Sequence, residues 1–253
     1  MKHFGYREDV ILDSDYRFGG ATKLPTNILR SNGDWKKFLP EIEYQRKNDV
    51  ETSACVTFAT HNALETLFAA QYGMKVNFSE RYTAKLSGTT KDGNSPQKVI
   101  EYIRKYIGTI PDTMLPFDDS IKSWDKFYSG IQFNHLLIGL QWILRWNVQH
   151  EWVDGTHEAM KDALKFSPLG CAVNAWHLEN GLYTRSGSDN HWTLIIDYKD
   201  KDHWLVWDSY DKVIKKLEWN YSFTRVKRYS IQKRAGVDIK TFGRAILGTL
   251  KGI

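Results

Sequence analysis

Cysteine is scarce in this chain: two among 253 residues, Cys55 and Cys171. That number excludes a disulfide framework and a four-cysteine zinc site. Long apolar runs are missing too. The longest, His135 to Leu144, is followed at once by Arg145 and is too short to cross a bilayer. Met1 to Leu12 is charged and holds no apolar segment of signal-peptide type. A cytoplasmic protein in a reducing compartment, or one packaged in a virus particle, is expected. Proline is sparse, with six residues, and no repeat or low-complexity block occurs. Strong charge of one sign is also absent from most of the chain. The net charge of +5 is concentrated after Ser222, where eight Lys or Arg face a single acid, Asp238. The body is nearly neutral, so nucleic-acid binding is not required by its charge.

Aromatics, by contrast, are plentiful: ten Trp, thirteen Tyr and twelve Phe. This composition argues against disorder and for a large core. Residues 1–33 hold Gly19-Gly20 and Pro25 with little periodicity and read as an extended arm. From Cys55, apolar residues at Ala59, Ala63, Leu64, Leu67 and Phe68 recur at helical spacing. Thr52 and Ser53 stand where an N-cap is expected, and Gly73 where the helix should stop. Ser95–Ile107 predicts a second helix with Pro96 in its first turn and Gly108 as its end. Asp154–Phe166 predicts a third. After Pro168 the pattern changes to strands: 171–176, 192–196, 204–207 and 225–231. A helical half followed by a β half predicts two lobes with a cleft between them.

A cysteine at a helix start feels the positive end of the helix dipole, which favours thiolate. His191 follows on a predicted strand, and Asp208 ends the next one. Antiparallel neighbours can bring those two side chains to one sheet end. Other residues read differently. His61 lies about 240° round the helix from Cys55 at roughly 100° per residue, which disfavours it as the partner base. The run His150, Glu151, His157, Glu158 lacks metalloprotease spacing and reads as a solvated stretch; no metal ligand set and no cofactor are expected. Cys171, in an apolar strand, reads as inert core. At Ile239, Phe242, Ile246 and Leu250 the tail has an amphipathic pattern. It fits a helix docked on its own domain, a protein partner or an anionic surface.

These residues form part of a longer ordered set that resembles the papain family of cysteine peptidases. Asp34-Trp35 through Gln45 resembles that family's mature start. Cys55-Val56-Thr57-Phe58 through Glu65 resembles its nucleophile helix, and Phe78-Ser79-Glu80 the segment that follows. Asp92-Gly93-Asn94-Ser95 is similar to the loop lining the substrate cleft, and Pro111 to Phe117 to the stretch after it. Asn190-His191, Ile196-Asp197-Tyr198 and Trp207-Asp208-Ser209-Tyr210 are similar to the remaining motifs. The match runs over about residues 34–230. The chain also departs from the pattern. Only the nucleophile and a small residue before it are kept in Thr52-Ser53-Ala54-Cys55-Val56. Gln45 lies ten positions before Cys55, four more than usual. Asp208 stands for Asn, and Tyr210 for a Trp.

The resemblance implies an α+β, papain-like fold: a helical N-terminal lobe over about 46–130 and an antiparallel β-barrel-like lobe over about 165–232, with the cleft between them. Residues 1–33 would be an arm, 34–232 the peptidase domain and 233–253 a basic tail. It implies a polypeptide substrate and a Cys55, His191, Asp208 triad. Gln45 would serve the oxyanion hole, with Gly93, Asn94 and Asn190 on the substrate side. An ordinary surface role for Gln45 and a turn role for Gly93 stay open beside these. Two other functions stay open as well: a non-catalytic structural or binding protein on the same fold, and an acyl transferase or isopeptidase with the same triad.

Overall fold

In the computed structural model, residues 4–19, 24, 27–210 and 214–235 are described. A short hairpin comes first, β1 (Arg46–Lys47) and β2 (Val50–Glu51), turned by Asn48 and Asp49 at positive φ. Asn and Asp tolerate that conformation and favour such two-residue turns. The helical part follows: α1 (Cys55–Tyr72), α2 (Glu80–Leu86), α3 (Pro96–Tyr102), α4 (Trp124–Phe127) and α5 (Phe133–Arg145). Then come β3 (Trp146–Val153), α6 (His157–Leu164), β4 (Leu169–Val173), β5 (His177–Glu179), β6 (Leu182–Thr184), β7 (His191–Lys199), β8 (His203–Trp207), β9 (Lys215–Glu218) and β10 (Val226–Lys233).

The strands from β3 onward form one eight-stranded sheet in the order β3-β10-β4-β7-β8-β9-β6-β5. Its pairs are antiparallel except β6 with β9. Helix α1 packs against β7, β10 and β4. Its residues Cys55 to Phe68 are all buried, polar ones such as His61 and Glu65 among them. One continuous core joins it to the sheet through Leu64, Leu67, Trp192, Leu194 and Tyr229. The helix ends as expected, with Gly73 in the left-handed region donating to the Phe68 and Ala69 carbonyls.

Several details differ from the sequence reading. The residue preceding α1 is Ala54, and neither Thr52 nor Ser53 caps it; Thr52 instead donates its hydroxyl to the Gln45 carbonyl at 2.7 Å. Ser95 caps α3, but the last turn, Ile103–Ile107, widens into a π-helix before Gly108. The third predicted helix is shorter, His157–Leu164, because Thr156 caps it. Strand β3 was not anticipated, and the stretch read as solvated lies partly inside it. His150 and Glu151 are buried there: His150 Nε2 meets Glu101 at 2.7 Å, and Glu151 accepts from Arg228 at 2.8 Å. Charged partners on α3 and β10 made burial of these polar residues possible. The sheet thus begins well before the residue 165 expected for the β lobe. No helix among the described residues is long and apolar enough to cross a membrane. The amphipathic tail pattern lies outside the described residues.

Candidate functional site

Cys55 is the first residue of α1 and His191 the first of β7, and these two elements pack together. Both Cys55 and Trp192, the residue that follows His191, belong to the buried core where these two elements meet. Asp208 lies one position beyond β8. The antiparallel register Leu194↔Trp207 brings His191 and Asp208 to the same sheet end. There His191 Nε2 meets Asp208 Oδ1 at 2.6 Å, and Nδ1 has no hydrogen-bond partner.

Asp208 is buried, and burial alone would push its pKa up. The His191 ring and then Lys215 outweigh that, so the carboxyl is held below its usual value and stays ionised. An ionised carboxylate only accepts, so the Nε2–H of His191 is the donor in this contact. Lys215 escaped the sequence reading. It is fully buried at the start of β9, donates to Asp208 Oδ2 at 2.7 Å and lies 4.9 Å from the Trp176 ring centroid. A lysine at a strand start gives no sequence signal for such a role, since lysines are seldom buried. Its charge offsets that of Asp208.

The surroundings of Cys55 work against the expected thiolate. Cys55 has no exposed surface, and burial drives its thiol pKa well up; the Trp192 N–H pulls the other way, and the Asp208 and Glu51 charges add to the rise. The position of Cys55 at the start of α1 works against that rise.

Gln45 is buried, not a surface residue. Its backbone N–H donates to the Ser209 carbonyl at 3.0 Å, and its Oε1 accepts from the Ser209 hydroxyl at 3.1 Å. The long spacing to Cys55 is explained by the β1–β2 hairpin. The hairpin loops out and returns the chain, so that Thr52 N–H meets the Gln45 carbonyl at 3.3 Å. The Gln45 amide Nε2 donates to the Phe4 carbonyl at 2.9 Å and to Glu51 Oε1 at 3.2 Å. Tyr210 donates to Glu51 Oε2 at 2.9 Å, and its ring centroid lies 6.3 Å from that of His191.

Gly93 stands at φ +84° in the loop before α3. The Asn94 side chain next to it is turned inward, with Nδ2 donating to Ser87 and Thr89. Asn190 Oδ1 accepts from Ala175 N–H at 2.8 Å. Cys171 is buried in β4, and burial raises its thiol pKa strongly, as suits a core residue.

A second polar cluster lies in the helical part, and the sequence reading did not find it. His61, Glu65 and Glu80 bring ligand-capable atoms within 4.8 Å of one another, all buried, and Glu43 and Asp112 adjoin Glu80. His61 Nε2 meets the Thr83 hydroxyl at 2.9 Å, and Glu65 Oε1 accepts from Phe78 N–H at 2.7 Å. Burial lowers the His61 pKa to about 3 and raises both glutamates well above their usual range. Burial thus favours the uncharged form of each of the three groups.

No family model matches the chain. Among curated proteins, pro-cathepsin H of Medicago truncatula is 24% identical over 210 residues, 76% of this chain and 56% of that protein. The chain thus spans little more than half the length of this relative. Among solved structures, digestive procathepsin L 3 of Tenebrio molitor larval midgut superposes with a TM-score of 0.58 at 15% identity, covering 86% of this chain and 74% of that one. The proform of the ragweed pollen cysteine protease Amb a 11 gives 0.57 at 19% identity, covering 83% and 67%. The cysteine protease and lectin-like domains of Cwp84 from Clostridium difficile give 0.61 at 13% identity, covering 79% and 51%. By architecture and by these likenesses, the chain is papain-like, an α+β protein with the fold of the C1-type cysteine peptidases.

Proposed function

We propose that the chain is a cysteine-type peptidase in which Cys55 is the nucleophile, His191 the base and Asp208 the residue that orients the imidazole. The observation that carries this reading is the meeting of three elements: α1, which starts at Cys55, packs on β7, which starts at His191, and His191 Nε2 lies 2.6 Å from Asp208 Oδ1, so that Nδ1 is the nitrogen left to act as base. In the proposed reaction the Cys55 sulfur bonds to the substrate carbonyl carbon as its proton passes to His191 Nδ1. The oxygen of the tetrahedral intermediate is held by Gln45 Nε2 and the Cys55 backbone N–H. Its collapse breaks the C–N bond, and the imidazolium returns the proton to the leaving amine. Water, activated by the same nitrogen, then releases the acid from the thioester. Lys215 acts through Asp208 as a positioning residue.

The expected behaviour is cleavage of fluorogenic peptides and labelling of Cys55 by a thiol-directed epoxide, both lost in Cys55→Ala and His191→Ala. Gln45→Ala should lower kcat about 100-fold, the usual cost of one oxyanion donor. Folded protein that cleaves no peptide and is not labelled, even with the cleft opened, would leave no place for this assignment. The second reading, a non-catalytic binding protein, is favoured by one feature: Cys55 and His191 are both fully buried.

A further inference from the structure

The helix that starts at Cys55 carries a second histidine, for which the peptidase chemistry has no use. His61 and Glu65 stand four residues apart on α1 and so share one of its faces. That face meets Glu80, the first residue of α2. His61 is 0% exposed, Glu80 2% and Glu65 4%. Glu43 and Asp112, both half-buried, group with the same Glu80 carboxyl. The charges acting on Glu65 and Glu80 come from other acids, Glu43 and Asp112 among them. Burying such groups together is costly unless protons or a cation neutralise them.

One observation separates this cluster from acids that only share protons. His61 Nδ1 is buried with no hydrogen-bond partner, and it lies 3.4 Å from Glu80 Oε1. Around a four-coordinate zinc ion with bonds of about 2.1 Å, neighbouring donor atoms stand about 3.4 Å apart. Glu65 offers a third donor atom within 4.8 Å of the other two. Its Oε1 accepts from Phe78 N–H at 2.7 Å, which fixes the carboxyl and leaves Oε2 for an ion. On the other side of the ring, His61 Nε2 meets the Thr83 hydroxyl at 2.9 Å. Metal-bound histidines make such a contact through their second nitrogen, and it holds the ring in place. A cavity of about 380 Å³, lined by Phe38, Glu41, Lys75, Asn77 and Glu65 itself, gives an ion a path to the cluster.

We propose that His61 Nδ1, Glu65 and Glu80 form a binding site for one divalent transition-metal ion of the zinc class, with Thr83 orienting the imidazole. One imidazole nitrogen among carboxylates suits zinc and its first-row neighbours, whereas calcium and magnesium take oxygen ligands. Glu43 and Asp112 add negative charge around the ion. Its role is structural: it ties α1 to α2, satisfies the orphaned ring nitrogen and neutralises the buried acids. Uptake needs both glutamates deprotonated and so releases protons. The site stands independently of the peptidase reading.

The test uses the full chain, purified without chelator and then stripped with EDTA, and the metal ions alone as probes. Zn²⁺ is titrated by calorimetry, Co²⁺ by its visible absorption, and thermal unfolding is followed with and without Zn²⁺. The chain is expected to bind one Zn²⁺ and to give visible bands with Co²⁺. Its Tm should rise by about 5 °C or more at a hundredfold excess of Zn²⁺ over Kd, and Mg²⁺ should give no such rise. Glu80→Gln keeps the size of the side chain and replaces a carboxyl that burial already favours uncharged, so it folds without metal. It should weaken Zn²⁺ binding by about 100-fold or more, as should His61→Gln; Thr83→Val, acting only through the imidazole, should weaken it by about 10–100-fold. Cys55→Ala removes the competing thiol, and His177→Gln an exposed imidazole outside the cluster. Both should bind Zn²⁺ as the parent does. A folded parent chain that binds no Zn²⁺ would overturn the proposal. So would full affinity in either Glu80→Gln or His61→Gln. Binding lost in Cys55→Ala or in His177→Gln would place the ion elsewhere and overturn it equally.

Discussion

Two buried histidine–carboxylate clusters among the described residues have their carboxyl pKa values shifted in opposite directions. At the sheet end, His191, Asp208 and Lys215 have almost no exposed surface, and Asp208 is held ionised. In the helical part, His61, Glu65 and Glu80 are as deeply buried, and both glutamates are driven toward the protonated form. Burial is common to both, so burial does not decide. The difference is the buried ammonium of Lys215 and the hydrogen-bonded contact of His191 with its acid. His61 lies 3.4 Å from Glu80 Oε1, is itself pushed to the neutral form, and brings no charge. A carboxylate keeps its charge inside a protein only where a cation is supplied with it.

The comparison is broken most severely at Lys215. Lys215→Met should cost about 3–5 kcal/mol of stability, because Asp208 is left as an uncompensated buried charge. Urea unfolding at neutral pH measures it. The double variant Lys215→Met, Asp208→Asn should recover most of that loss, since an amide needs no cation; additive losses would mean the pair is not coupled.

Next in size is the dependence on pH. The glutamate pKa values are raised in the folded state above their usual 4.5. The stability this confers is complete below pH 4.5 and is lost as pH rises through the folded values. The slope is at most about 1.4 kcal/mol per pH unit for each group. Glu80→Gln should flatten this decline. Asp208 has the reverse sign. Its pKa is lowered below 3.8, so its contribution is present above pH 3.8 and is lost as pH falls through the folded value. The Lys215→Met, Asp208→Asn protein should therefore lose less stability on acidification than the parent. Unfolding curves across pH, fitted at each step, separate the two effects.

The smallest expected effect sharpens the helical side. Thr83→Val removes the hydroxyl that meets His61 Nε2 and leaves that nitrogen without its partner. A loss of about 1 kcal/mol is expected, measurable as a lowered Tm, with no change in Cys55 labelling.

Much of the site was legible because local rules govern it. The apolar periodicity after Cys55 and the glycine at 73 give the helix and its end. The strand patterns around His191 and Asp208 place them one hairpin apart, where antiparallel pairing makes them neighbours. Other residues were illegible for a shared reason: their environment comes from distant parts of the chain. Lys215 is an ordinary strand-start lysine until Asp208 and Trp176 enclose it. His150 and Glu151 look solvated until Glu101 and Arg228 arrive. The spacing of Gln45 looked irregular, yet Asn48-Asp49 between Lys47 and Val50 is a turn signal that accounts for the extra residues.

The amino-acid order by itself determined the elements, their sequence along the chain and the chemical identity of the candidate residues, because periodicity, caps and turn residues act over a few positions. Only the tertiary structure decided how deeply those residues are buried and which charges meet them. Desolvation and counter-charges both depend on groups brought together from far apart in the chain.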